Sequence, residues 1–537
     1  MKPFLKLIFF TLSILVLSNC ARTGRPEGGP KDEEAPLFVT ANPPYETINF
    51  DKDEVRIYFN EFIKLKDLNK QLVVSPPLKN PLIVSPQGTA SKFLKLEILD
   101  TLKKNTTYIF NFGNAVEDNN ENNVLEGFKY VFSTGTYIDS LKTIGSIKDA
   151  VLKETPKSVN ILLYKIDSSY TDSIVFKKKP NYITNTLDTT RFELTNLREG
   201  KYLMIALKES SSDYLFDPKL DKIGFYKDTI VLPRDSIIEK SITLFKEIQE
   251  YKFRRAKEET KGKIIFGYEG AVKDFNVKVL SKVPEDFKSI SKFEKDKDTL
   301  NYWYTPIEVD SLNFEVSNAN FRDTVTVRLR KKKIDSLILN SSIKGTLHFR
   351  DTFFLEANNP IIDVDTSKIS LFDKDTIPKI FKTIIDKKEN KIALIFDKKP
   401  EQNYSLTFLP EALSDIFEHK NDTLKYSLRT KEIEDYGRIT LNAVNPESEN
   451  IIIELLEGKD QNLVERRFIS KEEVLVFDLL EPKTYTIRAI IDTNNNKKWD
   501  TGNFLSRTPP EKIIYYSEEM KLRANYFLNP TFNIKKE

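Results

Sequence analysis

Short runs in which apolar and polar residues alternate recur along the chain, as in Val55-Arg56-Ile57-Tyr58-Phe59, Tyr108-Ile109-Phe110-Asn111-Phe112 and Phe128-Lys129-Tyr130-Val131-Phe132. A period of two in β-branched and aromatic residues predicts half-buried strands. Clusters of Asn, Asp, Lys and Pro separate the runs, a rhythm of turns that suits antiparallel sandwiches better than a parallel sheet. With only 17 Gly in 537 residues, many turns must rely on Asn and Asp, which tolerate left-handed backbone and cap their own turns. Over residues 245–261 charges crowd, the period is ambiguous, and a helix is the one exception left open.

The pattern repeats at long range. Tyr108-x-Phe110-x-Phe112 matches Tyr404-x-Leu406-x-Phe408, and Phe128-x-Tyr130-x-Phe132-Ser133-Thr134 matches Leu424-x-Tyr426-x-Leu428-Arg429-Thr430. Both pairs lie at the same offset (404 less 108 is 296). A second duplication pairs Phe192-x-Leu194-x-x-Leu197 and Tyr202 with Leu475-x-Phe477-x-x-Leu480 and Tyr485, and Ala206 and Asp217 with Ala489 and Asp500. The predicted organisation is therefore a tandem array: 36–137, 138–250, an orphan β unit at 258–335, then 340–432 as a degenerate copy of the first and 436–537 as a copy of the second.

Two of these units resemble known modules. Pro43-Pro44, Val55-x-Ile57-x-Phe59-Asn60-Glu61, Leu102-x-x-Asn105-Thr106-Thr107-Tyr108 and Phe132-Ser133-Thr134-Gly135 resemble the bacterial Ig-like domain of surface-layer and extracellular proteins. Leu197-x-x-Gly200-x-Tyr202-x-x-x-Ala206 is similar to the prealbumin-like sandwich of carboxypeptidase-regulatory and collagen-binding accessory domains. Both resemblances imply spacing and adhesion without shared catalysis. The fold class expected is all-β, tandem antiparallel sandwiches behind a cleaved lipoprotein signal.

That signal occupies residues 1–19. Lys2 and Lys6 precede an apolar stretch from Leu7 to Leu17, about 16 Å as a helix and too short for a ~30 Å hydrocarbon core. Leu17-Ser18-Asn19-Cys20 resembles the lipobox of bacterial lipoproteins, with Asn19 departing from the usual small residue. The resemblance implies lipidation of Cys20, the chain's only cysteine, and two or more acyl chains anchor stably where one does not. Ala21 after the Cys implies the outer membrane by the sorting rule of enteric lipoproteins. Residues 20–35 carry no large apolar group and read as the lipidated Cys and its tether. Within them Lys31-Asp32-Glu33-Glu34 is similar to the surface-export tag of some Bacteroidota lipoproteins, which leaves the periplasmic and cell-surface faces both open.

Composition narrows the chemistry. The balance of 83 Lys+Arg against 80 Asp+Glu argues against a nucleic-acid partner, which needs an uncompensated basic field. One Cys and two His, His348 and His419, leave little for disulfides, zinc clusters or imidazole catalysis. One loop suits a hard cation such as Ca²⁺: Asp492, Asn494, Asn496, the backbone of Lys498, and Asp500 offer oxygens at alternating positions. The bland alternative is a polar hairpin held by Asx turns with Trp499 and Phe216 packed inward. Residues 117–123 form a second acidic loop, read as a turn. Ser289-x-x-Lys292 and Ser341-x-x-Lys344 lack companion motifs, and the basic run from Arg328 to Lys333 reads as an exposed face and linker.

Three functions follow from these features. The first is a non-catalytic, lipid-anchored envelope protein, a scaffold, spacer or binding arm whose partners are the membrane and envelope proteins or glycans. It has no cofactor beyond the calcium candidate, and its five units extend from the membrane if their linkers stay straight. The second is a carbohydrate- or protein-binding adhesin using Tyr302, Trp303 and Tyr304 as exposed aromatics, set against the bland alternative that period two splits the three between core and exterior. The third, remote, is a glycoside hydrolase built on paired carboxylates.

Overall fold

The computed structural model describes residues 31–535 except Asp296, Lys388, Pro446 and Ser448. The lipidation site Cys20, the signal and most of the tether lie outside the described residues. What is described is all-β: small, mainly antiparallel sheets, with one four-residue helix, Leu68–Gln71, and three short 3₁₀ turns.

The first unit packs a sheet ordered Phe38–Asn42, Glu54–Leu65, Ser91–Glu97, Ile83–Ser85 against one ordered Val73–Ser75, Thr107–Gly113, Phe128–Ser133. Its alternating residues bury Val55, Ile57, Leu94, Leu96, Phe110, Phe112 and Phe132 between them. The fourth unit repeats both orders, Leu339–Ser341, Phe353–Ala357, Lys391–Phe396, Phe381–Asp386 over Ile369–Phe372, Asn403–Phe408, Leu424–Arg429. The duplication extends to hydrogen bonds. The Tyr108 hydroxyl accepts the Lys103 N–H at 2.9 Å and the Thr134 hydroxyl donates to the Lys103 carbonyl. Tyr404 and Thr430 do the same at Lys399.

The second and fifth units are a similar pair. In each, a long strand, Gly200–Lys208 or Thr484–Ile491, lies in a five-stranded sheet beside Asn160–Lys165 or Ile451–Glu457. The second sheet of each joins a strand in parallel to the unit's first strand. Tyr202 donates its hydroxyl to the Arg198 carbonyl at 2.9 Å, and Tyr485 to the Glu481 carbonyl at 2.8 Å. Each pins the turn that enters its long strand.

Residues 245–261 are not helical. Lys252–Thr260 is a strand paired antiparallel to Lys263–Glu269, and Glu258, the one buried position in it, is tied to the Arg330 N–H. The charges are tolerated because this is an edge strand with most side chains in solvent. Gly262 closes the turn at φ +84, where a Cβ would fall 2.4 Å from the Phe417 ring of the fourth unit.

That contact belongs to a circuit which replaces the straight array. The second and third units meet at the Lys219–Glu269 ion pair (2.9 Å). Lys292 of the third reaches Glu356 and the Glu389 carbonyl of the fourth. His348 of the fourth stacks edge-on against Tyr436 of the fifth, 4.6 Å between centroids. The fifth unit then returns to the second through the segment that follows Asp500. A straight arm does not form because the apolar outer face of the second unit is covered from within the same chain.

Candidate functional site: the 492–511 loop

The strand Thr484–Ile491 runs directly into Asp492, whose carboxylate is buried. Asp492 accepts the N–H of Asn496 at 3.1 Å on one oxygen and that of Lys497 at 2.8 Å on the other. Asn494 also accepts from the Asn496 N–H, and Asn496 accepts from the Lys498 N–H at 2.8 Å. The side-chain amides of Asn494 and Asn496 both donate to Asp500, at 2.5 and 2.7 Å. Asp492, Asn494, Asn496 and Asp500 are thus brought together as a nested set of Asx turns, with both Asp492 oxygens, the Asn494 and Asn496 oxygens and one Asp500 oxygen engaged by the loop's own donors. Among the described residues no group of three or more His, Cys, Asp or Glu gathers to hold a metal.

The residue that organises this loop is Glu511, which motif spacing does not reveal. One of its oxygens accepts both the N–H and the hydroxyl of Thr493, at 2.7 and 2.8 Å, and the other the N–H of Asp500 at 3.0 Å. Its carbonyl accepts from the Trp499 indole at 3.0 Å. A carboxylate eleven residues beyond Asp500, just after Pro509-Pro510, is the only trace of this in the sequence.

Between Asp500 and Glu511 the chain crosses to the second unit. The Thr501 hydroxyl donates to the Lys246 carbonyl at 2.6 Å, and Glu247 accepts the Phe504 N–H. Burial pushes the Glu247 carboxyl above its ordinary range, partly offset by that N–H. Phe504 is fully buried 6.0 Å from the Phe225 ring, in a cluster with Phe216, Phe245 and the half-buried Trp499. Arg507 lies over the Phe504 and Phe225 rings at 4.3 and 5.7 Å and pairs with Asp172 at 2.6 Å. Gly502 fits because it has no side chain: a Cβ there would meet the Phe245 ring at 2.8 Å. From the other side, Lys153 donates to the Tyr516 and Ser517 carbonyls, and Tyr515 donates to the Val151 carbonyl. The arrangement is a clasp of aromatic, cationic and backbone contacts.

The other candidates sort differently. Tyr302, Trp303 and Tyr304 are not exposed: all three are at most 4% accessible. Tyr302 and Tyr304 face the third unit's core with Phe266 and Phe314. Trp303 lies on the outer side of the same sheet, under the Lys263 ammonium at 5.4 Å, where Lys292 of the next strand reaches the fourth unit. A platform for sugar rings is therefore absent at these three positions. In the acidic loop at 117–123, Asp118 accepts four backbone N–H groups, which outweigh its burial and hold its carboxyl below the usual range. His419 pairs with Asp415 at 3.1 Å inside the fourth unit, while His348 sits at the fourth–fifth junction. Lys292 is spent on that inter-unit tie, and Lys332 donates to the Glu258 and Glu259 carbonyls. No described helix is long and apolar enough to cross a membrane.

Comparison with known proteins agrees with part of this geometry. No curated protein matches the chain. Among solved structures, surface layer protein SbsC, domains 1–6, is 11% identical, covering 91% of this chain and 68% of that one at a TM-score of 0.14. The major pilin subunit BcpA of Bacillus cereus is 10% identical over 74% of this chain and all of that one, also at 0.14. The Bacteroides ovatus glucan-locus protein SGBP-B, solved with a mixed-linkage heptasaccharide, is 10% identical over 63% and 88%, at 0.17. At such scores the likenesses carry no argument about what this chain does. The family model described as a bacterial Ig-like domain matches residues 32–134, the span of the first sandwich, so this is a multi-unit all-β protein that carries a bacterial Ig-like domain.

Proposed function

We propose that the protein is a lipid-anchored component of the bacterial outer membrane, held at Cys20, that works as a non-catalytic scaffold carrying a preassembled body of sandwiches. The observation that supports a scaffold is the clasp: Phe504 and Arg507 of the fifth unit fill the aromatic cluster of the second. Closing the chain on itself turns four units into one body with fixed relative positions, which suits holding partners in place better than reaching for distant ones. The match to a bacterial Ig-like domain supports an envelope setting, and the lipobox-like Leu17-Ser18-Asn19-Cys20 supports the anchor. Partners are envelope proteins or glycans.

Two measurements test this reading. Labelled palmitate is expected in the wild-type chain and not in Cys20→Ala; equal labelling of both removes the anchor. Co-purification from detergent-solubilised outer membranes is expected to return an assembly, and a chain that always elutes alone argues against a scaffold.

A further inference from the structure

The two sheets of the third unit end side by side, one at Lys252–Thr260 and the other at Phe321–Arg328, with the Phe253 and Phe321 rings 6.4 Å apart. Between these edges lies a groove of about 420 Å³. Lys257 and Glu259 line it from one edge and Arg328 and Arg330 from the other, and Glu258 and Lys332 complete its polar lining. The groove's own carboxylates are taken: Glu258 accepts the Arg330 N–H at 2.8 Å, and Glu259 pairs with Lys263 at 2.6 Å. The Lys332 ammonium is taken too, by the Glu258 and Glu259 carbonyls. In charge, Lys332 offsets Glu258, so Lys257, Arg328 and Arg330 are uncompensated. None of the three has an ion pair or a side-chain hydrogen bond among the described residues, and neither do their exposed neighbours Arg255, Lys331 and Lys333. Arg254, by contrast, is paired with Glu269.

We propose that this groove binds a linear anionic glycan, a sugar chain carrying carboxylate or phosphate groups, along its two rows of cations. The choice of a glycan rests on the envelope reading above; the choice of a polyanion does not. Arg255 and Lys257 share one face in an unbroken register opposite Gly267 and Ile265, and residues two apart on a strand lie about 6.6–6.8 Å apart. That is inside the Debye length of about 8 Å at physiological salt, so the cations act together on one ligand. The two arginines suit its oxyanions, which a guanidinium binds through two parallel N–H bonds. The lining holds no aromatic ring, so it offers no stacking platform for a neutral sugar or for unstacked bases. Cations on two facing walls suit a single chain lying between them, whereas a flat bilayer surface meets only their rims. A peptide added as a strand needs the free backbone of the Lys252–Thr260 edge, where Lys332 already occupies two carbonyls.

The test titrates fluorescently labelled polygalacturonate with the chain from Ala21 onward and reads anisotropy at salt concentrations from about 50 to about 200 mM. Wild type is expected to bind, with the logarithm of its affinity falling linearly against the logarithm of salt, and labelled neutral dextran is expected not to bind. Lys257→Gln, Arg328→Gln and Arg330→Gln are each expected to weaken binding about threefold to tenfold and to reduce the salt slope by about one. All three positions are exposed, so the variants are expected to melt as wild type does. The double variant Lys177→Gln, Lys178→Gln removes two exposed cations of the second unit and is expected to bind like wild type. Absence of polygalacturonate binding overturns the proposal, as does an equal loss in the double variant, which would make the attraction diffuse. Tighter binding of single-stranded DNA or of vesicles containing anionic phospholipid, lost in the same three variants, assigns the groove to that partner and also overturns it. Palmitate labelling of Cys20 is a separate readout on a chain that keeps its anchor, so failure of the glycan site and failure of the envelope reading are distinguishable.

Discussion

The second and fifth units show how one sandwich is dressed in two ways. In the second, Leu162 pairs with Ile205 across the outer face of the five-stranded sheet, and both are buried beneath the cluster that receives Phe504. At the matching place in the fifth, Glu454 pairs with Arg488. Glu454 is buried and ion-paired to Arg488 and to Arg466, at 2.7 and 2.5 Å. An apolar outer face must be covered; a charged one can meet water at its rim. The copy that kept apolar residues is covered by a loop of the copy that did not. Divergence of two neighbouring strands is thus enough to make a duplicated pair complementary.

The largest effects are expected where that difference is reversed. Phe504→Ala removes a buried ring, a change that typically costs about 3–5 kcal/mol in a packed core, and is expected to free the fifth unit from the second. A larger radius of gyration in small-angle scattering and a lower denaturation midpoint check it, and Gly502→Ala, which drives a methyl into the Phe245 ring, is expected to act in the same direction. Retention of the wild-type radius by both variants would mean that the clasp does not hold the units together.

Glu454→Ala leaves the half-buried Arg488 beside no carboxylate, a loss expected to approach the roughly 3 kcal/mol at the low end for a broken buried pair. The double variant Glu454→Leu, Arg488→Ile copies the second unit's apolar pair and is expected to recover part of that loss in chemical denaturation. A double variant as unstable as the single one would show that the charged face is needed for more than its own pairing.

A smaller effect is expected at the fourth–fifth junction. Burial holds the His348 imidazole below its ordinary range, against the opposing pull of Asp351. Its folded form therefore favours the neutral ring, and the unfolded chain binds the proton more readily. Stability from this group is present above the unfolded value of about 6.5 and is lost as the pH falls through and below it. Denaturation midpoints between pH 7.5 and 5 are expected to drop more steeply in wild type than in His348→Phe; parallel slopes would assign the acid sensitivity elsewhere. The smallest effect is expected from calcium. Because Asp492, Asn494, Asn496 and one oxygen of Asp500 already accept the loop's own N–H groups, millimolar Ca²⁺ is expected to shift the melting temperature by about a degree or less. A shift of several degrees that Asp500→Asn abolishes would instead make Asp492, Asn494, Asn496 and Asp500 cation ligands.

The fold class was legible because alternation reports burial directly: Val55, Ile57 and Phe59 are all core residues of their sheet. The same rule fails at Trp303. Period two places Tyr302 and Tyr304 inside and Trp303 outside, and it cannot register that the outer side is itself covered. The charged run at 245–261 failed for a related reason, since an edge strand pairs through its backbone and leaves its side chains free to be polar. In the 492–500 loop, composition located a cluster of oxygens correctly but could not show that Glu511, brought back by two prolines, and Phe504, docked on another unit, decide what the cluster is for. Contacts between residues hundreds of positions apart leave no local period.

The same distance has a kinetic side. Glu247 and the Phe504 N–H that it accepts are separated by 257 residues, so the outer sheet of the second unit remains uncovered until nearly all of the polypeptide has been delivered. Pairings this far apart form late and expose apolar surface meanwhile. If the chain is exported as proposed above, the part delivered first needs a shield for that sheet, and depletion of holding chaperones is expected to harm this protein before it harms proteins whose sandwiches finish one at a time.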